Sequence, residues 1–282
     1  MSPAVFAAVI LEAFLHAAWN FLVKRGGDSG LAMIAVVTGH LPFAFGALLV
    51  FQAPAPESWP FIAASAALHV GYQLFLLNSY RVGDLTQVYP IARGAAPLIV
   101  AAVSVSFLGV SLGRGELIGI AIIACGILSL GLVRQADGVR NHRAAVLALG
   151  TGCFIAAYSL VDGTGARLAG TGVGFFAWAS ILNGVVVLAG AALWRPGLLA
   201  RLPREGLRPM LLGGGASFAA YAIVVWAFTE APIALVTALR ETSIVFALLL
   251  GVFALRERLD LGKVVSTMMT LAGAIVLRAA RH

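Results

Sequence analysis

The chain has 282 residues, of which 61% are hydrophobic and 11% charged, with a mean hydropathy of +0.97. A water-soluble domain carries about a quarter charged residues, so a soluble globule is excluded, as are a disordered chain, collagen and a coiled coil. The formal charge of +7 would suggest a nucleic-acid partner in a soluble protein. Here the basic residues sit in short loops between apolar runs, the pattern that orients membrane proteins, and no nucleic-acid partner is expected.

The opening MSPAVFAAVILEAF has no positive residue ahead of its apolar stretch and no small-residue cleavage site after it, so it reads as a retained transmembrane helix rather than a removable signal peptide. Windows of about 20 apolar residues predict ten spans near 3–23, 31–51, 60–80, 85–109, 115–133, 144–162, 171–194, 210–229, 233–254 and 263–279. Connections are short apart from RQADGVRNHR and RPGLLARLPREGLRP. With no room for a soluble domain, the chemistry must lie within the bundle or at its mouths.

Ionisable groups inside a span cost about 2.5 to 3.5 kcal/mol on insertion scales, so each is a functional candidate. In the first span Glu12 and His16 are four residues apart on one helix face, with Trp19 and Asn20 one turn further. A carboxylate and an imidazole so placed can bind and release a proton near neutral pH. The third span carries His69, Tyr72 and Gln73. In the fourth, Arg93 follows Tyr89 by four residues and stands between Pro90 and Pro97. These prolines remove backbone donors, as in the broken helices that line protein or a water-filled cavity. No acid adjoins Arg93 in sequence, which makes it the stronger anion-binding candidate.

The sixth span has the stripe Thr151, Tyr158, Asp162, and the eighth has Ser217 and Tyr221 one turn apart. The ninth has Arg240 within Thr237, Arg240, Glu241, Thr242 and Ser243. Two guanidiniums suit a carboxylate, phosphate or phosphonate, unless Arg240 is neutralised by Glu241 or Glu12. Polar-tipped aromatic rings suit a pocket for a small amphipathic solute. Asp162 and Glu230, near span ends, read as solvated caps. Trp59, Trp194 and Tyr80 read as interfacial anchors, and His40 as peripheral. Cys125 and Cys153 lie in apolar runs without metal or disulfide spacing and read as packing residues, and neither metal nor cofactor is expected. GxxxG spacings, including Gly115 to Gly119, permit close helix contact and suit the fifth span as scaffold.

The loop Arg134 to Arg143 divides the spans five and five. A shift of 147 residues lays Arg93 on Arg240, Gly115 on Gly262 and Gly126 on Gly273, and a shift of 139 lays Ala17-Ala18-Trp19-Asn20 on Ala156-Ala157-Tyr158-Ser159. Because five is odd, the second copy enters the membrane from the opposite side. The expected fold is an all-α integral membrane protein: ten transmembrane helices in an inverted five-plus-five repeat around a central cavity, the architecture of many secondary transporters. The repeats are assigned to 1–133 and 144–282, joined by a cytoplasmic linker at 134–143.

Lys24, Arg25, Arg81, Arg134, Arg140, Arg143, Arg195, Arg201, Arg204, Arg208, Arg256, Arg258 and Lys263 occupy one side, against Arg114, Arg167, Arg278 and Arg281 on the other. This bias puts both termini outside, periplasmic if the membrane is a bacterial inner membrane.

On the segments AAWNFLVK (17–24), YPIARGAAP (89–97) and ALRETSIVFALLLGVFALRERL (238–259), the sequence resembles the drug/metabolite transporter superfamily, EamA branch, over essentially the whole chain. The resemblance implies a cavity lined by spans 1, 3, 4, 6, 8 and 9, with spans 5 and 10 supporting from outside. It also implies export or exchange of amino acids, drugs, nucleotide sugars or other metabolites. Two features depart from the family. Its best-known ten-helix bacterial members keep both termini in the cytoplasm, opposite to the charge bias here. In the similar small multidrug resistance proteins an essential glutamate lies eight residues before the lysine ending helix 1; eight before Lys24 stands His16.

The expected function is a secondary active transporter of a small anionic or zwitterionic metabolite such as an amino acid, phosphonate or similar organic acid. It would work by alternating access, proton-coupled or by exchange, as a monomer or homodimer in the lipid bilayer. Glu12 and His16 would handle protons. Trp19, Asn20, His69, Tyr72, Gln73, Tyr89, Arg93, Tyr158, Tyr221, Arg240 and Glu241 would line the substrate site. The alternative is a proton-coupled exporter of cationic or hydrophobic drugs, with Glu12 as counter-ion and both arginines neutralised internally. Enzymatic activity is not expected, since no HExxH, GxSxG or phosphate-gripping glycine loop is present.

Overall fold

In hydrocarbon every backbone N–H and C=O must be satisfied within its own segment, and a chain this apolar meets that demand with helices. The computed structural model describes residues 1–24, 28–82, 85–132, 142–255 and 261–280; the side chains of Tyr80 and Tyr89, and the linker residues up to 141, lie outside the described residues. Twelve α-helices follow in order: α1 Pro3–Lys24, α2 Ser29–Leu48, α3 Trp59–Val82, α4 Leu85–Ser106, α5 Arg114–Leu132, α6 His142–Ala169, α7 Gly172–Trp194, α8 Pro196–Glu205, α9 Gly214–Glu230, α10 Ile233–Arg240, α11 Ser243–Leu255 and α12 Leu261–Ala279. Among the described residues seven stretches are long and apolar enough to cross a bilayer, and two shorter apolar stretches, Ile91–Ser106 and Val264–Ala279, lie in α4 and α12. The protein is an all-α membrane protein with about ten spans; α10 and α11 together make the ninth.

Four local features differ from the sequence reading. The connection after α7 is not a plain loop but contains α8, whose first residue, Pro196, suits the opening turn of a helix. The eighth span opens with a π turn, Pro209–Gly213. Its Met210 carbonyl packs so closely on Gly39 of α2 that any larger residue there would collide with it. The fourth span runs unbroken past Pro90 and Pro97. The break falls instead in the ninth, at Glu241 and Thr242, where no proline stands. There the N–H groups of Glu241 and Thr242 donate to Ala238 and Leu239 at 3.1 and 3.0 Å, a tightened i to i+3 turn.

Helix ends are set by local chemistry. Asp28 caps α2 by accepting from the N–H groups of Gly30 and Leu31 at 3.0 and 3.1 Å, and Thr171 caps α7 through Gly174 N–H at 3.1 Å. Between them, α6 stops at Gly170, whose φ of +71° is the left-handed conformation glycine supplies. Arg167 closes the far end of α9, donating to the carbonyls of Phe228 and Ala231 at 2.8 Å each.

The spans pair in a two-fold pattern. α1 packs on α9 and α3 on α6; α1 meets α10 and α11 as α6 meets α4; α2 pairs with α7, and α5 with α12. Exchanging each span for the one five further on leaves these pairings unchanged. α5 and α12 run antiparallel, because Gly115, Gly119 and Gly126 of α5 approach Ala280, Gly273 and Met269 in turn. A Cβ on Gly119 would lie 3.0 Å from the Gly273 carbonyl oxygen, and one on Gly273 would lie 2.8 Å from that of Gly119. Small residues permit this backbone approach. Cys125 and Cys153 are free and exposed, a correction to the packing role read from sequence: an apolar run in lipid is apolar on its outward face too.

Candidate functional site

Charged side chains inside the bundle converge from both halves of the chain. Glu12, near the middle of α1, is fully buried, and Arg93, Arg240 and Glu241 keep at most 5% of their surface exposed. The turn that breaks the ninth span places Arg240 and Glu241 consecutively, so that they reach different neighbours. Arg240 Nε lies 3.4 Å from Glu12 Oε1 on α1, within ion-pair distance though not aligned as a hydrogen bond. Glu241 Oε2 accepts from Arg93 Nε at 2.9 Å, and Ser243 Oγ accepts from the same guanidinium at 3.4 Å. Arg93 therefore does have an acid beside it, supplied from 148 residues away. Arg240 is paired with Glu12.

Burial of two ion pairs costs desolvation that only close pairing repays. His16 approaches the same Glu12 Oε1 at 4.0 Å through Nδ1. Trp19 meets the His16 ring edge-on at 5.4 Å, and Asn20 donates to the His16 carbonyl at 2.8 Å. His16, Trp19 and Asn20 are half-buried, as are His69, Tyr72 and Gln73.

An aromatic wall borders the ion pairs. Tyr221 of α9 lies under the Arg240 guanidinium, 5.0 Å from ring centroid to Cζ, a cation–π distance. Tyr158 of α6 sits 5.8 Å from Tyr221, stacks on His69 of α3 at 4.3 Å and meets Tyr72 edge-on at 5.6 Å. Gln73 is turned the other way, donating to Asn183 of α7 at 3.2 Å. Tyr89 contributes only its backbone to the description. The charged and aromatic groups thus come from spans 1, 3, 4, 6, 8 and 9.

Asp162 corrects the reading of a solvated cap. The sequence reading ended the sixth span at this polar residue, whereas α6 continues to Ala169, which leaves Asp162 about two turns inside the helix and fully buried. Its Oδ2 accepts from the Tyr221 hydroxyl at 2.7 Å and lies 4.0 Å from His69 Nε2. The Tyr158–Asp162 spacing of four residues was the signal that pointed inward. His40 is likewise not peripheral; its ring packs against Phe176 and Phe218 at 6.1 and 5.9 Å. Among the described residues no group of three or more His, Cys, Asp or Glu side chains is placed to hold a metal ion.

With two guanidiniums, two glutamates and an aromatic border drawn from both halves, the arrangement suits solute binding. Residues 142–279, from the first residue of α6 to the last of α12, match the model of the EamA-like transporter family. Over that segment the chain belongs to the EamA-like transporter family. A solved structure, described only as a crystal structure of a protein, is similar over 100% of this chain and 99% of its own, with 17% identity and a TM-score of 0.77. At that identity it speaks for the fold alone. No curated protein matches the sequence. As a family member the protein is a membrane transporter, and the matched segment covers five spans, one half of the observed pairing.

Proposed function

We propose that this EamA-like protein is a secondary active transporter of a small zwitterionic or anionic metabolite, such as an amino acid or similar organic acid, working by alternating access between two inverted five-span repeats in a bacterial inner membrane. The observation that carries the reading is the pair of buried ion pairs, Arg93–Glu241 and Arg240–Glu12, each of which ties the first half of the chain to the second. A solute that replaces one partner of each pair loosens the two halves from each other, so binding and rearrangement share the same bonds. Arg93 and Arg240 receive the solute's carboxylate, and the released glutamate receives its ammonium group.

Charge balance separates the solutes. Two arginines and two glutamates sum to zero, and in a low-dielectric interior an added net charge is expensive. A zwitterion exchanges both pairs without changing that sum, whereas a simple anion has to bring a proton. Glu12 and His16 are the groups assigned to that proton, and Trp19, Asn20, His69, Tyr72, Gln73, Tyr89, Tyr158 and Tyr221 to the lining.

The same pairing favours a second reading, a proton-coupled exporter of cationic or hydrophobic drugs. Both guanidiniums already lie against carboxylates, which leaves Glu12 to act as counter-ion. Ligand-induced thermal stabilisation of purified protein, followed by counterflow in proteoliposomes, decides between them, since a bound ligand raises apparent stability by mass action. Arg93→Ala is expected to abolish stabilisation and flux of amino acids and organic acids. If it spares or improves flux of cations instead, the drug reading holds. Reporter fusions at each end test the assignment of both termini to the periplasm.

A further inference from the structure

His69 Nδ1 lies 2.9 Å from the Ser65 carbonyl oxygen, one turn back on α3. A carbonyl can only accept, so Nδ1 carries the hydrogen. In a neutral ring this turns the bare lone pair of Nε2 toward Asp162 Oδ2, 4.0 Å away. The same oxygen accepts from Tyr221, the Ser65 hydroxyl lies beside the carboxylate, and Oδ1, equally buried, has no aligned hydrogen-bond partner. A lone pair set opposite a carboxylate in a buried position is unfavourable. One added proton, on the imidazole or on the carboxyl, converts it into a donor facing an acceptor.

We propose that Asp162 and His69, with Tyr221 as their fixed donor, form a second proton-binding site, separate from Glu12 and His16, through which H⁺ couples to the solute held at Arg240. The coupling clause rests on the transporter reading above; the proton site itself does not. The proton comes from water through His69, whose side chain keeps 18% of its surface exposed against 0% for Asp162. It forms one N–H or O–H bond, breaks no other bond in the protein, and leaves to water by the same group. Tyr221 is the shared element: its hydroxyl reads the charge of Asp162 while its ring face carries the Arg240 guanidinium at 5.0 Å.

The surroundings of the pair are defined. α3 supplies His69 and Ser65, α9 supplies Tyr221 and α10 supplies Arg240, already against Glu12. α4 supplies Arg93, bonded to Glu241; α6 itself adds Tyr158, stacked on His69; and α7 has no ionisable side chain. His40 of α2 is within electrostatic reach of His69.

The test is a proton count on purified protein in nanodiscs, titrated between about pH 5 and 9, where exposed carboxyls do not change charge. In Asp162→Asn the amide oxygen still accepts from Tyr221 at the position of Oδ2, and no anion faces His69 Nε2, so a proton there would be an uncompensated buried charge and the ring stays neutral. This variant is expected to bind about one proton fewer per chain than the wild type. His69→Gln, whose amide donates to the carboxylate and keeps it ionised, gives the same deficit and serves if the first variant does not fold. An unchanged count in a folded variant overturns the site. In proteoliposomes, Asp162→Asn should retain solute counterflow at equal pH and lose accumulation driven by a pH gradient. Loss of neither overturns the coupling. Absence of all flux in the wild type would defeat the transporter reading while the proton count still decides the site.

Discussion

Arg240 and Glu241 are consecutive, and their side chains bridge to different spans of the other half: Arg240 to Glu12 of α1 at 3.4 Å, Glu241 to Arg93 of α4 at 2.9 Å. A continuous helix would set adjacent residues about 100° apart on one cylinder; the turn at Glu241 and Thr242 sets how they diverge here. The break in the ninth span is therefore part of the site and not an imperfection of the helix.

Removing one member of the Arg93–Glu241 pair leaves the other charge buried without this ion-pair partner, a change that costs about 3 to 5 kcal/mol where a buried pair is broken. Arg93→Met and Glu241→Leu should each lower the unfolding temperature markedly. The double variant should recover most of that loss, because two apolar groups of similar volume replace a desolvated pair. None of the three should transport. Thermal unfolding and counterflow on the same preparations check this, and additive losses in the double variant would show that the two side chains do not depend on each other.

Glu12 Oε1 lies between a permanent cation and a titratable base, 3.4 Å from Arg240 and 4.0 Å from His16. His16→Gln keeps the size and one hydrogen-bonding end but cannot carry charge. The variant should fold, bind solute at fixed pH and show a weaker dependence of flux on pH near neutrality, with the part carried by Asp162 and His69 retained. Flux measured across a pH series in proteoliposomes gives the answer, and a wild-type profile would remove His16 from the coupling scheme.

The fold was legible in sequence because hydrocarbon imposes a length: runs of about 20 apolar residues mark the spans, and matched Gly126 and Gly273 sit where α5 and α12 meet. The Glu12, His16, Trp19 stripe was legible for the same reason, as helical spacing fixes a face. Three features were not. Arg93 and Glu241 are partners across 148 residues, which no local pattern encodes. The turn after Arg240 forms without proline or glycine, so nothing in composition announces it. Asp162 was misread because a charged residue was taken to end a span, when Tyr221 and His69 make a burial site for it inside one.

At the antiparallel contact of α5 and α12, the backbones approach through Gly119 and Gly273. Adding a side chain at either position meets a carbonyl oxygen of the opposite helix and, at Gly119, the Leu277 Cγ at 2.7 Å. Backbone cannot yield as a rotamer can, so Gly119→Val and Gly273→Val should separate the helices at about 1 to 3 kcal/mol each, the usual cost of overpacking. The charged cluster lies on other spans, so solute affinity in the folded fraction should change little. Thermal unfolding set beside ligand titration distinguishes this scaffold effect from damage to the site.

Outside the spans, Arg201 of α8 clamps the start of α2, donating to Asp28 Oδ2 at 2.8 Å and to Glu205 Oε1 and Oε2 at 3.0 and 2.6 Å. The Leu31 N–H, and then the Arg201 guanidinium, hold the Asp28 carboxyl below the usual carboxylate range, and Arg201 does the same for Glu205. A depressed folded value means that the stabilisation is complete above the ordinary aspartate value of about 3.9 and is lost as pH falls through the lower folded one. All three side chains are more than a third exposed, so the ion pairs add little and salt screens them. The lost helix cap dominates Asp28→Ala, at about 1 kcal/mol. The gap in unfolding temperature between wild type and Asp28→Ala should stay level from neutral pH down to about 5 and close below about 4. A gap that widens toward acid would mean that Asp28 is protonated in the folded protein and caps α2 by some other bond.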